Sequence, residues 1–157
     1  LGNPGRAGGG GLIRDEEGNW VLGFSRQIGI TSSFIAELWA LRDGLMMCVD
    51  RNFPAVVVEM DAKVIIEVLN NPNNTNLIIS SIVDDCRKLA SRIPRIQFEH
   101  CYREANRSAD MLARMGANQS SSFSFHSSPP EDVKPLLEFD ISELYLNRRC
   151  PVPLVIF

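Results

Sequence analysis

The sequence predicts an α/β domain of mixed-sheet type, with helices flanking the sheet. Segments 7–14 and 20–25 surround the turn-forming stretch 15–19, which is typical of an antiparallel hairpin. A helical stripe of apolar residues follows. The continuous apolar run 55–60 comes next and is typical of a buried parallel strand. Hairpin, helix and parallel strand in this order indicate one sheet that contains both kinds of pairing.

Local features of the sequence support each predicted strand and helix. In segment 7–14 a strand is expected, and its glycines require either a bulge or neighbours that approach closely. The hydroxyl residues Ser32 and Ser33 are N-cap candidates for a helix that runs to about Asn52. The remaining elements are expected, in chain order, as a helix at 62–69, a helix at 77–91, a strand at 95–101 and a helix at 103–118.

Composition limits the class of protein. With 157 residues and 45% hydrophobic residues, the chain has the size and the apolar content of one domain with a substantial core. A net charge of -3 excludes a global basic field, although it allows a local cationic groove. The four cysteines form no CxxC pair, which favours reduced thiols in an intracellular protein. We expect no membrane span, because no stretch approaches the ~20 apolar residues that a span needs.

The composition changes after Asn118, and we place a domain boundary there. Residues 1–118 form the predicted domain, and residues 119–157 form a Ser-, Phe- and Pro-rich tail. We expect this tail to be extended or loosely docked, with a short helical turn near 141–144. Its phenylalanines, Phe123, Phe125 and Phe139, are expected to be exposed and to dock on another surface. Because the chain starts at Leu1, we also expect it to be a fragment of a longer protein.

Three carboxylates are the candidate functional residues. Asp61 follows the buried run 55–60, while Glu37 and Asp110 are expected in the first turns of two helices. Each acid alone has an ordinary explanation, namely a helix cap, a favourable helix dipole or a solvated surface. Acids that converge on one sheet edge instead indicate a divalent cation, and hard oxygen ligands favour Mg²⁺ or Mn²⁺. Two such ions are suited to phosphodiester hydrolysis.

Four motifs together resemble a type 1 ribonuclease H domain, and more narrowly the reverse-transcriptase-like modules of plant retroelement-derived proteins. The resemblance covers residues 1 to 118. The motifs are Leu1-Gly2-Asn3-Pro4-Gly5, Ala36-Glu37-Leu38-Trp39-Ala40-Leu41, Met60-Asp61 and His100-Cys101-Tyr102-Arg103-Glu104-Ala105-Asn106-Arg107-Ser108-Ala109-Asp110-Met111-Leu112-Ala113.

The resemblance implies cleavage of the RNA strand of RNA–DNA hybrids by a monomer that uses two Mg²⁺ ions, held by one Glu and three Asp. Glu37, Asp61 and Asp110 match three of these four ligands. His100 matches a histidine thought to help product release, and its alternative role is that of a strand residue facing solvent.

The fourth ligand is the point of departure from the family pattern. The resemblance places it on a central first strand ahead of the Gly2-Asn3-Pro4-Gly5 turn, and this chain begins within that turn. We therefore expect a sheet without its central strand and an impaired nuclease.

The resemblance also places substrate contacts. It puts Asn3, Ser32 and Ser33 where the family touches the sugar-phosphate backbone, and it puts Asn106 beside the site. Lys63, Arg103 and Arg107 are candidate phosphate contacts, although a solvated helical face is the stronger explanation for Arg107. Recognition of this kind depends on groove shape and 2′-hydroxyl groups.

Two other classes remain open. One is a non-catalytic domain with the same fold that binds nucleic acid or protein. The other is a structural domain whose acids are unrelated helix caps; stabilisation by Mg²⁺ would count against it. The sequence does not distinguish a nuclear from a cytoplasmic location.

Overall fold

A computed structural model describes residues 4–71, 73, 77–103, 106–145 and 154–156 of the chain. The strands are β1 (Gly5–Arg14), β2 (Trp20–Thr31), β3 (Ala55–Met60), β4 (Arg95–His100), β5 (Phe123–His126) and β6 (Leu154–Ile156). The helices are α1 (Ser33–Asp50), α2 (Lys63–Asn70), α3 (Leu77–Ser91), α4 (Arg107–Asn118) and α5 (Lys134–Tyr145).

The strands form a six-stranded mixed sheet in the order β4-β3-β6-β1-β2-β5. β1 and β2 pair antiparallel through the expected hairpin, whose turn is closed by Asp15 accepting from the backbone N–H groups of Glu17 and Asn19. β3 and β4 pair in parallel from Ala55↔Arg95 onward. The predicted mixed α/β sheet is therefore confirmed.

The position between β1 and β3 is occupied by β6, a strand from the tail. β6 pairs antiparallel with Leu12–Arg14 of β1 and in parallel with Val57–Glu59 of β3. The gap that the sequence led us to expect at the sheet centre is filled from the other end of the chain. Backbone N–H and C=O groups on the facing edges of β1 and β3 need partners, and β6 supplies them over these residues.

The tail packs on the sheet more closely than the expected loose docking. β5 extends the sheet beyond β2, and the Trp20 indole N–H donates to the His126 carbonyl oxygen at 3.0 Å. Phe123 is half-buried and stacks on Phe24 with ring centroids 5.8 Å apart. Phe125 and Phe139 are exposed, as predicted. The boundary near Asn118 stays a prediction, but β5 and β6 belong to the same sheet as the strands before it.

The sheet separates two hydrophobic cores. The larger core lies under α1, α2 and α3, and the smaller one includes Leu12, Leu112, Val133 and Leu137 under α4 and α5. The glycines of β1 allow both layers to come close. A Cβ atom on Gly10 would lie 2.5 Å from the Leu112 carbonyl carbon of α4, whereas one on Gly9 would meet Ala40 of α1 at 3.4 Å. The close neighbours that a glycine-rich strand requires are therefore the two helices on its faces.

Three cysteines of the described part of the chain, Cys48, Cys86 and Cys101, are buried free thiols. Cys150 lies outside the described residues. Within the described part of the chain, no helix has the length and apolar character to cross a bilayer.

Candidate active site

A cavity of about 810 Å³ opens where β1, the end of β3, α1 and α4 meet. Glu37, Asp61 and Asp110 all line it, although they belong to three separate parts of the chain. The glycines of β1, Gly8, Gly9 and Gly10, also line the cavity. The structure thus brings together the three carboxylates singled out in the sequence.

Asp61 directly follows β3, a strand whose six residues are all buried. The backbone N–H of Cys101 donates to the Met60 carbonyl oxygen at 3.0 Å and ties the end of β4 to this position. The N-cap of α2 is Ala62, and no side chain caps this helix end. Helix capping therefore does not explain Asp61, which leaves its place in the cavity as the reason for a carboxylate here.

Glu37 lies deeper in its helix than expected. α1 begins at Ser33, and Ser32 is the N-cap residue, whose hydroxyl oxygen accepts from the Ile35 N–H at 3.4 Å. No acidic residue lies in the first turn, so the predicted first-turn position of Glu37 was wrong. A favourable helix dipole consequently gives a weaker reason for this acid than the sequence suggested.

Asp110 lies in the first turn of α4, as predicted. The helix starts at Arg107 rather than at Arg103, and the Asp110 N–H donates to the Asn106 carbonyl oxygen at 3.1 Å. Two guanidinium groups contact the carboxylate, with Arg103 Nη2 3.7 Å from Oδ1 and Arg114 Nη2 3.4 Å from Oδ2.

Burial and mutual repulsion change the protonation of two acids. Burial, together with the negative charges of Asp61 and Asp110, raises the pKa of Glu37 to about 7, although Arg103 opposes the shift. Burial also raises the pKa of Asp61; Arg103 and His100 oppose this shift, and Asp110 adds to it. The described cavity therefore holds more negative charge than its environment solvates well.

The raised pKa of Glu37 predicts how stability depends on pH in metal-free protein. The folded state binds this proton more tightly than the unfolded state, so the contribution is complete below about pH 4.5 and is lost as pH rises through 7. We expect the unfolding free energy to fall by on the order of 2 kcal/mol between pH 5 and 7.5. Urea titrations at both pH values check this, and Glu37→Gln should flatten the profile. An equally steep profile in Glu37→Gln would contradict the assignment.

The donor set fits a hard divalent cation by its chemistry. Three carboxylates supply oxygen ligands, and a cation would relieve the repulsion that raises the pKa values of Glu37 and Asp61. Among the described residues, no three acidic, histidine or cysteine side chains are already grouped tightly enough to hold a metal. Their side chains would have to converge when an ion binds.

The other sequence-predicted residues divide into two groups. Ser33 and Asn106 line the cavity, and Asn106 is almost fully buried at its rim. Among the described wall residues, Ser32, Lys63 and His100 do not appear. The Ser32 hydroxyl serves as the helix cap, and Lys63 lies 4.0 Å from Glu67 on a solvated helix face.

The remaining predictions concern the cavity's surroundings. His100 is exposed, with its ring edge-on to Tyr102 at 5.6 Å, so its solvent-facing alternative fits its position. The Arg107 guanidinium lies over the Phe139 ring at 4.2 Å and is absent from the described cavity wall. Asn3 lies outside the described residues.

Sequence reasoning missed part of the cavity's positive charge. Arg6 and Arg114 line the wall together with Arg103, so three guanidinium groups face three carboxylates. Arg114 had a usable signal, because it follows Asp110 by four residues on a helix and such pairs interact. Arg6 had none, since its place depends on how β1 meets α1 and α4.

Comparisons with known proteins place the chain in a family. Residues 2–116 match the model of a family described as reverse transcriptase-like. An Arabidopsis thaliana protein named after ribonuclease H is 36% identical over 139 residues. That match covers 88% of this chain but only 22% of the Arabidopsis protein's length.

Two solved structures share the fold. RNase H1 from the halophilic archaeon Halobacterium salinarum has a TM-score of 0.68 at 26% identity, covering 74% of this chain and 89% of that one. LC11-RNase H1, solved in complex with an RNA/DNA hybrid, has a TM-score of 0.63 at 28% identity, covering 75% and 90% of the respective chains.

Proposed function

Because the chain belongs to the reverse transcriptase-like family and has a ribonuclease H fold, we propose that it is a metal-dependent endonuclease module for RNA–DNA hybrids. The supporting observation is the cavity in which Glu37, Asp61 and Asp110 converge from three separate elements. The bound hybrid in the LC11-RNase H1 structure supports the same substrate class for this chain.

Glu37, Asp61 and Asp110 would hold the divalent cations, with Mg²⁺ as the first choice and Mn²⁺ as the alternative. When bound, such ions activate a water nucleophile and stabilise the leaving oxygen of a phosphodiester. The protein's own contribution is to place the three acidic residues around one cavity, from which their side chains can converge on an ion. Asp61 is held by the end of a buried strand, and Glu37 and Asp110 are held by helices packed on opposite faces of the sheet.

Substrate binding is proposed along the cationic and hydroxyl side of the cavity. Arg6 and Arg114 supply positive charge for phosphate groups, which gives affinity without reading sequence. Thr31, Ser33 and Asn106 supply neutral hydrogen-bonding groups in the lining of the same cavity. These groups suit a sugar-phosphate backbone and 2′-hydroxyl groups, so we propose recognition by duplex shape.

The rate of this chain alone is expected to be low. The resemblance requires four acidic ligands, and this chain provides three of them in the described cavity. We accordingly propose impaired cleavage by the 157-residue chain and carry over the module's retroelement-derived plant origin as part of the same proposal. A monomer is sufficient for it, because one chain supplies all three carboxylates.

The test is single-turnover incubation of excess protein with labelled hybrid, single-stranded RNA, duplex RNA and duplex DNA of one sequence. We expect cleavage only of the RNA strand in the hybrid, only with Mg²⁺ or Mn²⁺, and none after chelation. Equal cutting of single-stranded RNA, or neither binding nor cutting of the hybrid, would contradict the proposal.

A non-catalytic role is the second candidate, and the balance of three guanidinium groups against three carboxylates favours it to a degree. A cavity wall with this balance of charges depends less on bound metal ions to attract nucleic acid than a purely acidic wall does. Selective hybrid binding by anisotropy, without cleavage at any Mg²⁺ or Mn²⁺ concentration, would identify this binding module instead.

A further inference from the structure

The backbone of Arg103 is held by hydrogen bonds, whereas its side chain is exposed to solvent. The N–H of Cys101, two residues earlier, donates to the Met60 carbonyl oxygen, and the Asn106 N–H donates to the Arg103 carbonyl oxygen, both at 3.0 Å. The side chain itself is 73% exposed. The backbone of Arg103 is therefore held beside Asp61, while its guanidinium group can change position at small energetic cost.

Arg103 lines the same cavity as all three carboxylates. Its Nη2 atom lies 3.7 Å from Asp110 Oδ1, and its positive charge opposes the rise in the pKa values of Glu37 and Asp61. Arg114 provides a contrast. It contacts the same Asp110 at 3.4 Å and lines the same cavity, but it belongs to α4, one turn beyond Asp110, and not to the segment that is tied to the end of β3.

Arg103 and Arg114 therefore differ in their positions in the fold and not in the chemistry of their side chains. Arg114 pairs with Asp110 within one helix, whereas Arg103 pairs with it from the segment beside Asp61. A cation that binds the same three carboxylates would come close to the Arg103 charge and be repelled by it. An exposed ion pair of this kind is weak, so it can be exchanged.

We propose that Arg103 is the resident counter-ion of the Glu37, Asp61 and Asp110 carboxylates, and that a divalent cation must displace its guanidinium in order to bind. Arg103 is thus a positioning residue that sets the metal affinity of the site. The proposal rests on the proposed function, because it requires that this cavity takes a divalent cation. Once displaced, the guanidinium is free to face a phosphate group at the cavity mouth.

The test measures Mg²⁺ binding to the full 157-residue chain by calorimetry, without nucleic acid. We expect Arg103→Gln to lower the Kd for Mg²⁺ by roughly two- to fivefold, the factor that one exposed ion pair accounts for. Arg103→Lys should return the Kd toward the wild-type value, because it keeps the charge. Arg114→Gln is the matched control, and we expect a smaller change in Kd.

A second measurement follows the side chain directly. In ¹H–¹⁵N spectra, the Arg103 Nε–Hε signal, assigned by its loss in Arg103→Lys, should shift as Mg²⁺ is added with the same midpoint as calorimetry. This readout does not depend on whether Arg103→Gln folds well. An unmoved signal, or an unchanged or weaker Mg²⁺ affinity in a folded Arg103→Gln, would overturn the counter-ion role while leaving the proposed function intact.

Complete absence of Mg²⁺ and Mn²⁺ binding in the wild type and in every variant would overturn both proposals together. Binding in Arg103→Gln alone would support the counter-ion role in its strongest form.

Discussion

Replacing Val155 by proline is expected to lower the unfolding free energy by on the order of 2 kcal/mol, because a carbonyl group of a neighbouring strand loses its hydrogen-bond donor. Val155 is the middle residue of β6, paired with Ile13 on one side and with Val58 on the other. Proline has no N–H to donate, and a central strand tolerates it poorly because a ladder hydrogen bond is lost and the pairing is broken. Denaturant unfolding followed by circular dichroism measures the change.

Val155→Thr is the control, because threonine keeps the backbone N–H and a branched side chain suited to strands. If both variants unfold at the same denaturant concentration, β6 makes no contribution to the sheet. Hydrogen exchange adds a local readout. In the proline variant, amides on the facing edges of β1 and β3 should lose protection before those between β1 and β2.

Substituting Asp61 by asparagine is expected to weaken Mg²⁺ binding by at least about a hundredfold, the upper end for changes around metal ligands. The substitution keeps the size of the side chain while removing the charge that the end of β3 presents to the cavity. Hybrid cleavage should fall to background for the same reason. Calorimetry and the single-turnover assay measure the two effects separately.

Asp84→Asn is the matched control, since Asp84 is an exposed helical acid that contacts Arg87 at 3.4 Å. It should leave metal binding and cleavage unchanged. Cleavage that survives in Asp61→Asn at the wild-type rate would end the proposed site, whatever its metal affinity. A folded Asp61→Asn is expected, because burial raises the pKa of this acid and its charge opposes folding at neutral pH.

Local patterns predicted most of the fold. The apolar run of β3 and the stripe of α3 matched the structure at both ends, because each is long and strongly patterned. β6 could not be predicted in the same way. Three residues carry too little periodicity, and their pairing depends on two strand edges that lie far away in the sequence. The burial of the charged residues Arg14 and Glu59 could not be predicted from local patterns either, because it depends on their tertiary surroundings.

The sequence predicted those parts of the candidate site that single residues reveal. An acid after a buried strand stands out in a sequence, and Asp61 led to Glu37 and Asp110. Of the three arginines that line the cavity, the sequence indicated Arg103 but not Arg6 or Arg114, because a charge on a strand or a helix is ordinarily solvated. Only the folded arrangement shows that Arg6 and Arg114 share the cavity with the acids.

The insertion of β6 has a consequence for how the chain folds. β1, β2 and β5 form one ladder, and β3 and β4 form another, and in the described sheet only β6 hydrogen-bonds to both. Leu12 and Ile156, which pair across this seam, lie near opposite ends of the described chain. Such high contact order makes closure of the sheet a slow, late step. If β6 is not in place, the facing edges of β1 and β3 are unpaired and can pair with other chains, so loss of β6 should promote aggregation.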